Sequence, residues 1–379
     1  MDRPDVYRST IRYLLEPVAD LLYEDDTVTE VLINGPDQIY CERKGKLEKV
    51  NRRFRDEHTL LAAARNLAQY VRRQLGEHHH SMDARLPEPE KFRVHVILPP
   101  ASRVGVCVSI RKFKRSDTTL DWLVNEKASL SAPAAEYLRL MVGSHRNVVV
   151  SGGTGSGKTS LLNALSAAIP DRERVIVIED SSELQLNQEH AVYLEARPAG
   201  PDGKGAVTIR DLFVDSLRMR PDRILVGEVR RGEALDLIQS MLSGHDGALT
   251  TVHASSPQLA LVRLETLCMM NDVGLPVHVA RTQVASAVHV VAQVSRLADG
   301  SRKVVSIAEV GGLSKGDRYR VREVFKFQQT GTAADGTIQG EVVPTGKPSR
   351  FAAHIRDSSV KDQVNLTASL FAPRPAADE

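Results

Sequence analysis

The chain has 379 residues, 42% of them hydrophobic and 26% charged, and its formal net charge is +2. This length favours two or three domains, the composition is that of an ordinary globular protein, and the small net charge provides no overall field to attract nucleic acid. Three cysteines without a CxxC pair, Cys41, Cys107 and Cys268, argue against a disulfide scaffold and against a zinc site.

No segment of the sequence has the pattern of a secretion signal or a membrane span. The N-terminus is charged from Asp2 onward, and the longest stretch without Asp, Glu, Lys or Arg, Gly247–Val262, contains several polar side chains. A bilayer span needs a longer and more apolar run. We therefore expect a cytoplasmic protein whose association with a membrane is peripheral.

Residues 1–115 predict an α+β domain. Apolar residues recur at helical spacing in Tyr7–Tyr23, where Pro17 interrupts the pattern, and in Glu57–Leu75. Short strands joined by turn residues are predicted at Val28–Ile33, Gln38–Glu42, Lys46–Val50, Phe92–Leu98 and Val104–Ile110. The polar stretch 116–132 then predicts a hinge to a second domain.

Residues 133–313 show a different pattern, which is typical of an α/β fold. Apolar strands alternate there with helical segments, at Val148–Val150, Val175–Ile178, Ile224–Val226, Leu249–Val252 and Val288–Val294. Such strands predict a parallel sheet that is covered by helices on both faces. Residues 314–379 predict a short β-rich C-terminal appendage, with a hairpin of Arg318–Gln329 and Ile338–Pro344 and a disordered tail at Ala372–Glu379.

A phosphate-binding loop, or P-loop, follows the first of these apolar strands. It consists of Gly152, Gly153, Thr154, Gly155, Ser156, Gly157, Lys158 and Thr159, and Ser160 begins the helix that is predicted after it. Glycines are needed because backbone N–H groups must turn inward around phosphate oxygens, while the helix N-terminus adds partial positive charge. We expect Lys158 to reach the β- and γ-phosphates of ATP and the hydroxyl of Thr159 to bind Mg²⁺.

Two groups of acidic residues follow apolar strands in the same domain. Ile224–Glu228 has the layout of a Walker B motif, although it ends in Glu where Asp is commoner, and Val175–Glu183 ends in three carboxylates. The carboxyl ends of parallel strands face the crevice where ligands bind, so these acids predict a hydrolytic site beside the P-loop. The alternative is that they only solvate strand ends or cap the helices that follow.

Two histidines flank the strand predicted at Leu249–Val252. His245 precedes this strand, and His253 follows it directly. At the end of an apolar strand, His253 can hydrogen-bond a γ-phosphate or an attacking water. A lone histidine is also common as a satisfied surface or core residue, and the sequence alone leaves both interpretations open.

Four motifs in this order resemble those of the secretion-motor ATPases of type II secretion, type IV secretion and type IV pili. They are the P-loop, the acidic segment Ile178–Leu184, the Walker B segment Arg220–Arg230 and the histidine segments Gly244-His245 and Thr251–Ala254. A Walker B motif that ends in Glu is the normal form in this family. Outside these motifs, Val28–Pro36, Met82–Pro87, Ser109–Phe113 and Val324–Gly331 are similar to the tight-adherence (Flp) pilus assembly ATPase branch.

The resemblance implies a RecA-like motor domain, six subunits in a ring, and ATP bound between the two domains. By position it also implies roles for four side chains. Glu183 is the general base, Glu228 holds Mg²⁺ through water, and His253 and His245 sense the γ-phosphate.

The resemblance further implies that phosphate is contacted from the N-terminal domain, by Arg85, Arg93 and Arg111. Charge on the transferred phosphoryl group needs such cations besides Lys158 and Mg²⁺. The motor domain offers few others, namely Arg218, Arg220 and Arg230. The segment Pro87–Arg93 departs from the family pattern, because it lacks the usual Gly-Ser step before the arginine.

The predicted function is hydrolysis of ATP with Mg²⁺ by a homohexamer that drives pilus assembly or secretion through inner-membrane platform proteins. A RecA-like nucleic-acid motor is the first alternative, but it would need a basic track rich in aromatic residues, which make up only 4% of the chain. The second alternative, a small-molecule kinase, would need an acceptor site and a lid, and the sequence suggests neither.

Overall fold

The computed structural model describes residues 3–43, 46–87, 90–112, 118–197, 199–200 and 203–372, without the side chains of residues 3–8. These residues belong to two compact units, Met1–Arg115 with Ala199–Lys204, and Ser116–Pro198 with Gly205–Glu379. The beginning of the predicted hinge and the predicted tail from residue 373 onward lie outside the described residues. No helix in the described part of the chain is long and apolar enough to cross a bilayer.

A six-stranded antiparallel sheet forms the centre of the N-terminal unit, in the order β3-β2-β1-β6-β5-β4. Its strands are β1 Val28–Asn34, β2 Ile39–Arg43, β3 Lys46–Val50, β4 Ser81–Arg85, β5 Arg93–Ile97 and β6 Cys107–Arg111. The sequence pattern did not predict β4, because Met82 is the only side chain of this strand that is fully buried. The α+β class that was predicted for this unit is confirmed.

In the described part of this unit, three helices accompany the sheet: α1 Arg3–Leu14, α2 Glu16–Tyr23 and α3 Glu57–Tyr70. The single helix predicted at Tyr7–Tyr23 is therefore two helices, and Pro17 lies in the first turn of α2, where a missing N–H group is tolerated. The α3 helix begins at Asp56, whose carboxylate accepts a hydrogen bond from Thr59 N–H. It ends before the predicted Leu75, since Arg72 adopts a positive φ of 55°.

The second unit contains one continuous nine-stranded sheet, in the order β15-β14-β13-β12-β7-β11-β10-β8-β9. The strands from β12 to β9 in this order pair in parallel, and β13, β14 and β15 add antiparallel strands on one side. Their bounds are β7 Val148–Gly152, β8 Val175–Glu179, β9 Ala191–Glu195, β10 Arg223–Val226, β11 Leu249–Val252, β12 Val290–Arg296, β13 Arg302–Leu313, β14 Tyr319–Thr332 and β15 Ile338–Pro344. The predicted C-terminal hairpin is thus the outer edge of the motor sheet.

Helices cover both faces of this sheet, because alternate apolar residues of each parallel strand enter different cores. Val148, Val150 and Val177 pack with the helices of one face, which are α4 Leu120–Asn125, α5 Ala132–Gly143 and α6 Lys158–Ser166. Val149 and Ile178 pack with those of the other face, which are α7 Ile209–Ser216, α8 Glu233–Leu242, α9 Pro257–Met269 and α10 Val277–Ala287. This α/β sandwich confirms the predicted RecA-like class.

The C-terminal segment packs back onto α5 through two carboxylates. It contains α11 Ala352–Arg356, a 3₁₀ turn at Lys361–Gln363 and α12 Ala368–Phe371. Glu309 is fully buried and accepts hydrogen bonds from Tyr137 Oη at 2.8 Å and from Ser349 Oγ at 2.5 Å. Glu136 accepts bonds from the backbone of residues 365–367 and from Thr367 Oγ1. Each buried charge is therefore satisfied by several donors, which fixes the segment in place.

Candidate active site

The P-loop joins β7 to α6, and two of its glycines have conformations that other residues rarely adopt. Gly155 and Gly157 have φ values of +68° and +99°, and Gly157 is the N-cap of α6. A Cβ on Gly152 would lie 2.5 Å from Val294 O, so this position also requires glycine. Around Gly153 and Gly155, by contrast, an added Cβ would meet nothing within 4 Å. The loop therefore leaves open space over its backbone, as a phosphate group requires.

Lys158 extends from the first turn of α6 into this loop. It is only 7% exposed, and its Nζ donates a hydrogen bond to Gly153 O at 3.0 Å. Nζ also lies 3.3 Å from His253 Nε2. Burial lowers the pKa of Lys158 below its ordinary value, although the carboxylates of Glu228 and Glu183 oppose this shift. A buried cation beside a helix N-terminus fits the phosphates of a nucleotide.

Glu228 lies two residues beyond β10 and is held between two basic side chains. Its Oε1 lies 3.1 Å from His253 Nε2 and accepts a hydrogen bond from Arg230 Nε at 2.8 Å. Arg230 also reaches Asp180 Oδ2 at 2.6 Å, so it joins the two acidic segments. Burial alone would raise the pKa of Glu228, but Arg230, His253 and Lys158 together lower it. Glu228 is consequently ionised at neutral pH.

His253 connects Lys158 with Glu228. It follows β11 at the same edge of the sheet as the P-loop, because β11 pairs in parallel with β7. Burial lowers the pKa of His253, with Glu228 acting in the opposite direction and Lys158 in the same one. The imidazole is therefore neutral at pH 7 and can both donate and accept a hydrogen bond.

The second acidic segment presents Glu183 to Thr159. Thr159 Oγ1 donates to Glu183 Oε2 at 3.3 Å, which places the expected base beside the hydroxyl that was predicted to bind the metal. Glu179 is different, since it is 4% exposed and its Oε1 accepts hydrogen bonds from the backbone N–H groups of Glu183 and Leu184 at 2.9 and 3.0 Å. Glu179 thus fixes the backbone, whereas Glu183 faces the P-loop.

His245 does not join this cluster. It lies before β11, and the neighbouring Ala248 O accepts a hydrogen bond from Val148 N–H, at the start of β7. This is the amino edge of the parallel sheet, opposite the P-loop. The resemblance implied that His245 senses the γ-phosphate. Within one chain this prediction is corrected, because His245 and the P-loop lie at opposite edges of the sheet. Arg218 and Arg220 lie at the same amino edge, because they precede β10.

In the N-terminal unit, the three arginines singled out from the sequence lie in one row across neighbouring strands. Arg85 of β4 is opposite Arg93 of β5, and Arg93 is opposite Arg111 of β6. Residues that are opposite each other in an antiparallel pair share one face of the sheet. Asp83 pairs with Arg93 at 2.9 Å, and Glu30 of β1 is the neighbour of Arg111. Of the atypical segment Pro87–Arg93, residues 88 and 89 lie outside the described residues, as does Phe113.

Two contacts of the site were not predicted from the sequence. Arg230 was considered only as one of several cations, although its position two residues after Glu228 is a signal that the sequence contains. Arg302 was not singled out, and its Nε donates a hydrogen bond to Gly155 O in the P-loop at 3.0 Å. Arg302 and Gly155 are far apart in the chain, and no local pattern connects them.

A RecA-like sheet with a P-loop, a buried lysine and carboxylates at the same edge defines a P-loop ATPase. The family model described as "Type II/IV secretion system protein" matches residues 14–342 of this chain. A putative conjugal transfer protein of Mycobacterium tuberculosis is 36% identical over 299 residues, which cover 78% of this chain and 83% of that protein. The chain belongs to the type II/IV secretion system protein family.

A further relative agrees with this assignment, and a solved structure shares the fold. The type IV secretion system protein PtlH of Bordetella pertussis is 34% identical over 338 residues, which cover 81% of this chain and 97% of that protein. The X-ray structure of the Legionella pneumophila ATPase DotB matches with a TM-score of 0.53 and 17% identity, over 83% of this chain and 81% of that chain. The likeness to DotB concerns the fold alone.

Proposed function

We propose that this ATPase is a Mg²⁺-dependent homohexameric motor that powers assembly of a tight-adherence pilus, or a related secretion machine, at the inner membrane. The observation that carries the proposal is the linked series of Gly153, Lys158, His253 and Glu228, with contacts of 3.0, 3.3 and 3.1 Å along the carboxyl edge of the sheet. The names of the relatives, which refer to conjugal transfer and type IV secretion, support the secretion setting.

Each side chain of the cluster has a distinct task in this proposal. The P-loop backbone and Lys158 bind the β- and γ-phosphates, since buried donors aimed at developing charge are the main source of stabilisation in phosphoryl transfer. Glu183 accepts the proton of the attacking water. His253, neutral and held by Glu228, donates to the γ-phosphate and so reports whether that phosphate is present.

The oxygen donors beside the P-loop fit a magnesium ion. The hydroxyl of Thr159 would bind it directly and Glu228 through water, while Glu183 lies 3.3 Å from that hydroxyl. Hydroxyl, carboxylate and water oxygens are the ligands that Mg²⁺ takes beside nucleotide phosphates. When bound, the ion would neutralise phosphate charge.

The arginine row of Arg85, Arg93 and Arg111 supplies the further cations in this proposal. The residues precede the predicted hinge, whereas Lys158 and Glu228 follow it. Closure of the two domains on ATP would bring these cations to the phosphates, and hydrolysis would release them, which turns chemistry into motion. Platform proteins in the inner membrane would receive that motion at the cytoplasmic surface.

The test is ATP turnover and assembly of the purified chain with Mg²⁺. Lys158→Ala should abolish hydrolysis, whereas replacement of the exposed Lys315 by Ala should leave it unchanged. Light scattering should show a ring of six subunits with non-hydrolysable ATP. Turnover in Lys158→Ala equal to the wild type would contradict the assignment of the site, and a monomer at micromolar protein would contradict the motor.

A further inference from the structure

The hairpin between β12 and β13 lies beside the P-loop. Because β12 pairs in parallel with β7, the turn after Arg296 is at the carboxyl edge of the sheet, where the P-loop begins. Val294 is directly opposite Gly152 in this pairing. The turn is closed by hydrogen bonds from Leu297 N–H to Ser301 O at 2.8 Å and from Gly300 N–H to Leu297 O at 2.9 Å. The first residue of β13, Arg302, is therefore held next to the loop.

Arg302 contacts the P-loop in two ways. Its Nε donates to Gly155 O at 3.0 Å, and its aliphatic stem lies against Gly157, where an added Cβ would be 3.3 Å from Arg302 Cδ. The side chain is otherwise exposed. Water could hydrate an exposed guanidinium equally well, so Arg302 does not need the loop carbonyl to satisfy its charge. The effect of this hydrogen bond is therefore to constrain the loop.

The peptide unit between Gly155 and Ser156 is held at both of its polar atoms. Arg302 binds the carbonyl oxygen, and Ser156 N–H points to Gly153 O at 3.4 Å, the same oxygen that accepts from Lys158. A trans peptide is planar, with C=O and N–H on opposite sides. Fixing the carbonyl toward Arg302 therefore also fixes the N–H group on the opposite side of the peptide, toward Gly153 O inside the loop.

The turn of this hairpin is also tied to the outermost strand. Asp299 accepts hydrogen bonds from Ser301 N–H at 2.9 Å and Ser301 Oγ at 2.7 Å, and its second oxygen accepts from Ile338 N–H at 2.7 Å. Ile338 is the first residue of β15. These contacts form a continuous path from Gly155 through Arg302, Ser301 and Asp299 to β15.

We propose that Arg302 is a positioning residue that holds the Gly155–Ser156 peptide in its phosphate-binding orientation, and that Asp299 couples this orientation to β15. The proposal rests on the nucleotide-binding role of the P-loop. Displacement of the outer hairpin β14–β15 then changes nucleotide affinity, and nucleotide binding in turn stabilises the position of that hairpin. Contacts made to the C-terminal strands can therefore regulate the ATP site.

The first experiment separates the donor of Arg302 from its charge. In Arg302→Gln the side-chain Nε2 occupies the same bonded position as Arg Nε, so a donor is kept while the charge is lost. Arg302→Met keeps the stem without a donor. With a fluorescent ADP analogue as the probe, we expect Met to weaken binding about three- to tenfold, as for the loss of one hydrogen bond, and Gln to bind like the wild type.

Each outcome of this experiment decides the role of Arg302. Equal weakening in the Gln and Met variants would mean that the charge acts on the nucleotide, which overturns the positioning role. Binding by Arg302→Met as tight as the wild type would overturn it as well. Lys158→Ala is measured in parallel. Loss of ADP binding in this variant supports the assignment of the P-loop as the nucleotide site, whatever the result for Arg302.

The second experiment tests the coupling to β15. Asp299→Ala removes the link, and we expect ADP binding to weaken in the same direction as in Arg302→Met, with a double variant less affected than the sum of the two. Asp335→Ala is the matched control, since Asp335 caps the neighbouring turn by accepting from Thr337 N–H at 2.9 Å. Strict additivity, or an equal loss in Asp335→Ala, would overturn the coupling.

Discussion

Glu179 Oε1 accepts a hydrogen bond from the backbone N–H of Glu183 at 2.9 Å, so the buried carboxylate of Glu179 positions the backbone of a second acidic residue. The two residues are four apart in the sequence and have the same chemistry, but their surroundings give them different tasks. Glu179 accepts hydrogen bonds from backbone N–H groups in the turn that follows β8. Glu183 instead accepts a hydrogen bond from the hydroxyl of Thr159. This difference makes the catalytic assignment testable with two matched variants.

The first prediction compares Glu183→Gln with Glu179→Gln. Gln at position 183 keeps the shape but cannot accept a proton, so turnover should fall by about 10²–10⁴ while ATP affinity is roughly kept. Gln at position 179 still offers an oxygen to both backbone N–H groups, and we expect turnover close to that of the wild type. Steady-state hydrolysis and nucleotide titration measure both effects. The reverse result would identify Glu179 as the base.

The second prediction concerns Arg111, which ends β6 next to the predicted hinge. If Arg111 completes the site when the domains close, Arg111→Ala should bind ATP but lose about 10³–10⁵ in turnover, as arginine fingers do in other P-loop enzymes. Arg111→Lys should recover only part, because ammonium lacks the guanidinium fork. The control is Arg65→Ala on the exposed side of α3. Unchanged turnover in Arg111→Ala would leave the N-terminal unit as an adaptor only.

The third prediction is a loss of stability in acid that originates at His289. Burial, and then the charge of Arg146, lower the pKa of His289 from its ordinary 6.5 to about 4, and its Nδ1 accepts a hydrogen bond from Asn147 N–H at 2.9 Å. The unfolded chain therefore takes up a proton before the folded one does. The resulting stability is present above pH 6.5 and is lost as the pH falls toward 4, by up to about 3 kcal/mol.

His289→Asn removes the titrating group and keeps an acceptor for Asn147 N–H. Urea unfolding, followed by the fluorescence of the single tryptophan, Trp122, measures the free energy of unfolding of the C-terminal unit. Between pH 7 and pH 4 the wild type should lose more stability than His289→Asn, and the exposed control His278→Asn should behave like the wild type. Parallel curves for wild type and His289→Asn would exclude His289 as the source.

The fourth prediction concerns Gly247 at the amino edge of the parallel sheet. Arg223 is buried there, 1% exposed, with its Nε 2.5 Å from Glu173 Oε2, and a Cβ on Gly247 would overlap the guanidinium. Gly247→Ala should therefore destabilise the protein by the cost of a left-handed residue, roughly 1–2 kcal/mol, plus about 1–3 kcal/mol for overpacking.

Gly336→Ala is the matched control for this substitution. Gly336 has nearly the same φ, +85° against +86° for Gly247, but an added Cβ there would meet nothing within 4 Å. Only the backbone cost should appear in the control. Equal losses in the two variants, measured by urea unfolding, would show that the buried guanidinium moves aside without penalty.

The sequence by itself determined those parts of the site that consist of residues close together in the chain. The P-loop, the apolar strands and the carboxylates after them are local patterns, and strand direction alone places Glu183, Glu228 and His253 on one edge of a parallel sheet. His245 precedes its strand, so strand direction also places it at the opposite edge, away from the P-loop. The strands β4, β9 and β13 were not predicted. The first two are half-exposed and carry a weak apolar pattern, whereas β13 is largely buried.

Only the tertiary structure decided which distant groups meet. Strand order brings β12 and β13 beside the P-loop, so that Arg302 contacts Gly155, and it makes the predicted C-terminal appendage the outer part of the motor sheet. It also places Arg230 between Glu228 and Asp180. Contacts of this kind depend on the order of strands in the sheet and on side-chain packing, and neither leaves a periodic signal along one chain.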